Sequence, residues 1–136
     1  MIQKLFLDTN IIIDFLANRE EYEPAANILQ LGIEGEVELY ITGLTVANIS
    51  YILRTTIGKD RLKDSLQKLC RFIHIAPITE QEINMAYTTE NPDLEDAIQY
   101  FAATSVNADI IITRDPKHFK YANIPVMSGR EYFGMP

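Results

Sequence analysis

Asp8, Asp93, Asp96 and Asp115 are the residues of this sequence whose type and placement could do chemistry. Asp8 closes the apolar run IQKLFL, Asp93 and Asp96 open the helical phrase LEDAIQYF, and Asp115 follows IIIT. Each therefore falls near the C-terminal end of a candidate strand or the N-terminus of a candidate helix. In an open parallel sheet those ends line one crevice, so residues distant in sequence can meet there. Carboxylates packed into one crevice repel, and they stay ionised when a hard cation sits between them. Oxygen ligands of this kind suit Mg²⁺ or Mn²⁺. Each acid also has a purely structural use: Asp8 as a helix N-cap, Asp93 and Asp96 as favourable charges in a first helical turn, Asp115 as the start of a turn before Pro116. Residue type and spacing reach as far as a metal-dependent or phosphate-handling α/β domain.

The elements that must position these acids alternate along the chain. Residues 2–7 read as a strand ending in D-T-N, followed by a helix over 11–16. Helical spacing continues over 22–33, where the pair Gly32 and Gly35 is expected to end it, and 37–41 read as a second strand. Two amphipathic helices are expected over 44–57 and 61–72. A third strand over 72–78 precedes the capping box Thr79-x-x-Glu82, which opens a helix through Tyr87. Asn91-Pro92 punctuates the chain, Asp93 caps a helix over 94–106, and 109–113 is a continuous apolar run of buried-strand type. Ser128 to Glu131 spells another capping box. This alternation predicts a three-layer α/β/α fold with a mainly parallel sheet of about 4–5 strands, in one domain spanning 1–136.

Length and composition agree with that reading. The chain has 136 residues, 47% hydrophobic and 23% charged, with six Gly and six Pro. This profile belongs to an ordinary globular domain and excludes disordered or collagenous classes. The N-terminal MIQKLFLDTN has neither a basic leader with a cleavage site nor the length of a membrane span, so a cytoplasmic protein without a membrane partner is expected. The single cysteine, Cys70, lies on an apolar stripe and is expected to be a buried, inert thiol. A net charge of -7 argues against binding nucleic acid through a basic surface. A cation held by clustered acids offers a different route to phosphate.

The phrases that carry these acids resemble a known family. L-F-L-D-T-N-I-I-I-D at 5–14, D-L-E-D-A-I at 93–98 and I-I-I-T-R-D at 110–115, followed by His118-Phe119, look like a PIN domain. The nearest flavour is the single-domain VapC-type toxin ribonuclease of bacterial toxin–antitoxin pairs. The resemblance implies an endoribonuclease dependent on Mg²⁺ or Mn²⁺ and acting on single-stranded RNA. Asp8, Asp96 and Asp115 match catalytic, metal-binding positions, with Asp8 bridging, and Asp93 adds or orients a ligand. It further implies a small antitoxin partner and self-association, such as a homodimer. One position departs from the pattern. The family usually carries Glu in a T-x-x-E-I phrase on the helix after the second strand, and T-V-A-N-I puts Asn48 there. An Asn carbonyl can ligate a cation, but the site loses one charge, so weaker metal affinity is expected. A degraded member that binds RNA or protein without cutting is the competing reading. A phosphatase or response regulator would also use acids on such a sheet, but the Lys expected after its last strand is here replaced by T-R-D.

Several further residues have assignable roles. Thr9, Asn10 and Thr113 are candidates to orient the metal-binding carboxylates. Asp14 is expected at the helix surface or against neighbouring backbone, not on the metal. Phe119 reads as a core plug and His118 as a surface residue. Arg114, Lys117, Lys120 and Arg130 could contact phosphate, with scattered surface charge as the alternative. Tyr51, Tyr87, Tyr100 and Phe101 could stack bases, or serve as core or dimer surface.

Overall fold

The computed structural model describes residues 1–90 and 93–136; the Asn91-Pro92 break read from the sequence lies outside them. The described elements are β1 (Gln3–Leu7), α1 (Thr9–Leu16), α2 (Tyr22–Ile33), β2 (Val37–Thr42), α3 (Gly43–Ile52), α4 (Lys59–Leu69), β3 (Ile73–Ala76), α5 (Glu80–Thr88), α6 (Leu94–Ser105), β4 (Ile110–Ile112), a 3-10 turn (Pro116–Phe119), β5 (Val126–Met127) and α7 (Gly129–Phe133). The five strands form one sheet in the order β3-β2-β1-β4-β5, and every neighbouring pair is parallel. The α/β/α architecture expected from the alternation is therefore present. The chain works outward from β1 through β2 to β3, then returns to the other side of β1 to lay down β4 and β5. The reversal of winding falls between β1 and β4, and a crevice opens at the carboxyl ends of those two strands.

Strand alternation divides the core. Leu5, Leu7, Leu39, Ile41, Ile110 and Ile112 face one layer, packed with Ile11, Ile12, Ile28 and Leu29 from α1 and α2 and with Leu62 and Leu66 from α4. Phe6 and Ile111 point the other way, onto Tyr100, Ala102 and Ala103 of α6 and onto Phe119. Helices on both faces explain why β1 and β4 read as continuous apolar runs rather than alternating ones. Phe119, fully enclosed, is the plug expected of it.

Several boundaries move from their sequence positions for identifiable reasons. Both capping boxes, Thr79 with Glu82 and Ser128 with Glu131, form. The third strand shortens to Ile73–Ala76: it pairs only with β2, and Pro77 has no N–H to extend the ladder. Helix α3 stops at Ile52 instead of reaching Ile57, ahead of Thr55 and Thr56, which are weak helix formers. The two-residue strand β5 is too short to show any periodicity.

Gly32 does not end α2. It lies inside the helix, and Gly35, at φ 74°, makes the stop. Gly32 is instead where the helix approaches the sheet. A Cβ there would come within 2.9 Å of Leu39 Cγ and 3.4 Å of Phe72. Because Leu39 is fully buried in the core, Gly32→Ala should destabilise the fold by about 1–3 kcal/mol through overpacking. Urea unfolding measures this, and a loss below about 0.5 kcal/mol would show that Leu39 repacks freely.

Candidate active site

Asp8 caps α1 at the carboxyl end of β1, and its carboxylate is heavily engaged. Oδ1 accepts from the Thr9 backbone N–H at 2.8 Å, and Oδ2 accepts from the Thr113 hydroxyl at 2.8 Å and from Asn10 Nδ2 at 3.3 Å. The Asp8 backbone N–H also donates to the Ile112 carbonyl at 2.9 Å, locking the end of β1 to the end of β4. Thr113, fully buried, accepts in turn from the Asp115 N–H at 3.1 Å. Thr9, Asn10 and Thr113 thus surround Asp8, and Thr113 links it to Asp115.

Helix α6 brings the remaining acids to the same crevice. Asp93 is its N-cap, with Oδ1 accepting from the Asp96 N–H at 3.0 Å. Burial pushes the Asp96 carboxyl up to about 6, helped by the negative charges of Asp93 and Asp8 and opposed by His118. His118 Nδ1 stands 3.9 Å from Asp96 Oδ2, and its side chain is about half exposed. The Asp8 carboxyl is also raised, mainly by burial and further by Asp115, against the hydrogen bonds from Thr113 and Thr9. Asp8, Asp96 and Asp115 therefore share one electrostatic neighbourhood.

A residue passed over in the sequence joins them. Glu95, beside Asp96 in the first turn of α6, accepts from Asn48 Nδ2 at 2.8 Å. Its carboxyl is raised by burial and by the charges of Asp93 and Asp8. An acid in a first helical turn is commonplace, and only the packing of α3 beside α6 distinguishes it. A second feature hidden from the sequence lies beneath the crevice. The Thr42 hydroxyl donates to Gln99 Oε1 at 2.8 Å, Gln99 Nε2 donates to the Thr45 hydroxyl at 3.1 Å, and Thr9 reaches Thr45 at 3.5 Å. Thr42, Thr45 and Gln99 are all buried. This network joins β2, α3, α6 and the start of α1 without leaving polar groups unsatisfied.

The donor set suits a hard cation. No three carboxylate, imidazole or thiol groups among the described residues form a ready-made cage. Mg²⁺, however, typically takes one or two carboxylates and keeps water and substrate phosphate for its other positions. The raised carboxyl of Asp96 reflects burial first and the negative charges of Asp93 and Asp8 second, and a cation would offset the second of these.

The same shifts set a pH dependence. An acid whose folded-state pKa is raised binds protons more tightly when folded, so its destabilising effect is present above that value and is relieved as pH falls. For Asp96 the window runs from about 6 down towards its ordinary 3.8. With chelator present, the melting temperature should rise between pH 7.5 and 5. In Asp96→Asn it should be higher at pH 7.5 and rise less on acidification. Thermal melts across that range measure both, and an unchanged slope would remove Asp96 as the source.

The remaining residues read from the sequence take the following places. Asp14 is not at a helix surface: it is buried and paired with Arg114 Nη1 at 2.6 Å. Arg114 is thus held by a carboxylate, as is Arg130, whose Nε donates to Glu21 Oε2 at 2.8 Å. Tyr100 is buried and its hydroxyl accepts from the Asn123 N–H, whereas Tyr51 and Tyr87 are exposed. Cys70 is partly buried, and burial pushes its thiol up, away from the reactive thiolate. Lys117, His118 and Lys120 line a cavity of about 600 Å³ together with Glu90, Asp93, Asp96 and Tyr121.

The PIN domain family model matches residues 4–117. The chain belongs to the PIN domain family. PIN domains are generally nucleases, and the crevice described above lies within the matched span. Solved structures share the fold. A chain of the VapBC2 complex from Rickettsia felis, bound to a DNA fragment from its promoter, aligns with TM-score 0.69 and 16% identity over 93% of this PIN domain chain and 98% of that one. A chain of a toxin–antitoxin complex from Klebsiella pneumoniae aligns with TM-score 0.68 and 24% identity over 92% and 97%. A chain of DNA-bound VapBC from Salmonella typhimurium gives TM-score 0.69 and 14% identity over 95% and 99%. No curated protein sequence matches. Among the described residues no helix is long and apolar enough to cross a membrane.

Proposed function

We propose that this PIN domain is a divalent-metal-dependent endoribonuclease that cuts single-stranded RNA and acts as the toxin of a toxin–antitoxin pair. The observation that carries the reading is the crevice between β1 and β4, where Asp8, held by Thr9, Asn10 and Thr113, shares its electrostatic surroundings with Asp96 and Asp115. Asp8, Asp96 and Asp115 would hold Mg²⁺ or Mn²⁺, with Asp93 and Asn48 at the margin of the ligand set. When bound, such a cation activates water at neutral pH and neutralises charge on the phosphodiester. Thr113 and Asn10 keep the Asp8 carboxylate in one orientation through their hydrogen bonds. Lys117 and Lys120, which line the same cavity as Asp93 and Asp96, would supply the positive charge that a phosphate backbone needs and that the net charge of -7 does not. The toxin role draws on the shared fold with chains from toxin–antitoxin complexes. A small antitoxin, a cytoplasmic location and a homodimer complete this proposal.

A second reading has its own observation. Asn48 is uncharged and its amide is engaged by Glu95, so a scaffold that binds RNA or a partner protein without cutting is the alternative. One assay separates the two: end-labelled single-stranded RNA is incubated with Mn²⁺ or Mg²⁺, with and without chelator. Cleavage that requires metal is expected. Retention of RNA without cleavage under either metal would overturn the nuclease reading in favour of the second.

A further inference from the structure

The buried pair of Asp14 and Arg114 is incomplete on the carboxylate side. Arg114 Nη1 meets only Oδ1, at 2.6 Å, where a guanidinium commonly spans both oxygens of a carboxylate. Among the described residues Oδ2 has no hydrogen-bond partner, although the Asp14 side chain is only 1% exposed. A buried acceptor in that state is costly and calls for a donor. Asp14 lines a cavity of about 320 Å³ bounded by α1, the start of α2 and the start of α7. The cavity holds three carboxylates, Asp14, Glu20 and Glu21, against two guanidiniums, Arg114 and Arg130, so one negative charge is in excess. Glu21 is already bonded by Arg130 Nε at 2.8 Å. Ile11, Pro24 and Ala25 add an apolar wall.

We propose that this cavity is a binding site for an alkylguanidinium group, whose N–H donors reach Asp14 Oδ2 and whose methylene stem lies on Ile11, Pro24 and Ala25. One positive charge balances the excess, and Asp14 then accepts from a different guanidinium on each oxygen. A hard metal ion fits poorly, because it needs several oxygen ligands and would meet two guanidiniums here. An ammonium has the right charge but is compact and strongly hydrated, whereas a guanidinium is more weakly hydrated and is buried at lower cost. The apolar wall favours a ligand that carries the charge on an alkyl stem. Arg114 is 40% exposed, and among the described residues its side chain is held by the one bond to Asp14, so it can shift to admit the incoming donor. Glu20, exposed, supplies negative charge at the mouth. Free arginine and an arginine side chain on a polypeptide carry this same group. The proposal is independent of the nuclease reading, since none of the residues it uses is among the proposed metal ligands.

Titration of the isotopically labelled natural protein with N-acetyl-arginine amide, free arginine and N-acetyl-lysine amide tests the proposal, at fixed ionic strength and followed through the backbone amide resonances. An arginine probe should saturate and shift the amides around Asp14, Ala25 and Arg114, and the lysine probe should bind about 10-fold more weakly. Tighter binding of the N-acetyl amide than of free arginine would assign the group to a polypeptide side chain, and the reverse to a small molecule. Asp14→Asn, which removes the charge and one acceptor oxygen, should weaken arginine binding by about 10-fold or more. Circular dichroism checks that it is folded. Glu20→Gln, an exposed change that leaves the core untouched, should weaken binding by about 2–5-fold, the scale of a single exposed charge. Should Asp14→Asn fail to fold, Glu20→Gln and the comparison of arginine with lysine still decide. Shifts scattered over the acidic surface, equal binding of the lysine probe, or unchanged affinity in the folded Asp14→Asn would each overturn the proposal.

Discussion

Asp8→Asn should lose RNA cleavage by about 10²–10³-fold, the loss that follows when metal-derived transition-state stabilisation worth several kcal/mol is removed. The fold should survive. Asn is as good an N-cap as Asp, and the carbonyl oxygen can keep the bond from the Thr9 N–H. The Thr113 hydroxyl, which now donates to Asp8, can turn to accept from the new amide, and only the longer bond from Asn10 Nδ2 at 3.3 Å is given up. Burial already disfavours the Asp8 charge, so a neutral isostere should leave the chelated protein as stable as before, or more so. Loss of activity with unchanged thermal stability is therefore the expected pair of results. Cleavage by Asp8→Asn within about 3-fold of the natural rate would place the catalytic centre elsewhere or trace the activity to a contaminating nuclease.

Arg114→Ala should have the largest effect on stability. Asp14 is fully enclosed, and Arg114 Nη1 meets its Oδ1 at 2.6 Å; among the described residues its other oxygen has no hydrogen-bond partner. Burial raises the Asp14 carboxyl, and Arg114, with a smaller contribution from Arg19, opposes the rise. Removing one partner of a buried pair generally costs about 3–5 kcal/mol. Arg114 is 40% exposed, and Asp14 can take up a proton instead of remaining charged, so about 2–3 kcal/mol is the expectation here. That corresponds to a melting temperature lower by roughly 6–12 °C. The loss should shrink as pH falls and Asp14 is neutralised, and Asp14→Asn/Arg114→Ala should be less destabilised than Arg114→Ala. A single variant within about 0.5 kcal/mol of the natural protein would show that Asp14 is already neutral in the fold. The pair also bears on the site. Arg114 lies between Thr113 and Asp115, and its N–H donates to Asn10 Oδ1 at 3.1 Å, so releasing it should loosen the loop that carries Asp115.

What the sequence by itself determined about this protein is what depends on near neighbours. The cap at Asp8, the capping boxes at Thr79 and Ser128, the Asp93 cap of α6 and the apolar runs of β1 and β4 are short-range patterns, and all of them form. Their alternation carried the parallel α/β class with them, because consecutive parallel strands require a crossover. The acids near the strand ends were legible for the same reason. Tertiary structure alone decided which side chains across the fold meet. Gly32 reads as a helix stop until β2 is laid against it, and its lack of a Cβ proves to be a packing requirement. Arg114 reads as a phosphate contact or a scattered surface charge until α1 presents Asp14, 100 residues away, and Glu95, passed over in the sequence, gains its partner only when α3 brings Asn48 to it from 47 residues away. Gln99 gives no signal at all until Thr42 and Thr45 close around it. Periodicity and capping report only which face of an element is buried. Pairings between distant side chains depend on strand order and helix placement, which the packing of the whole core decides.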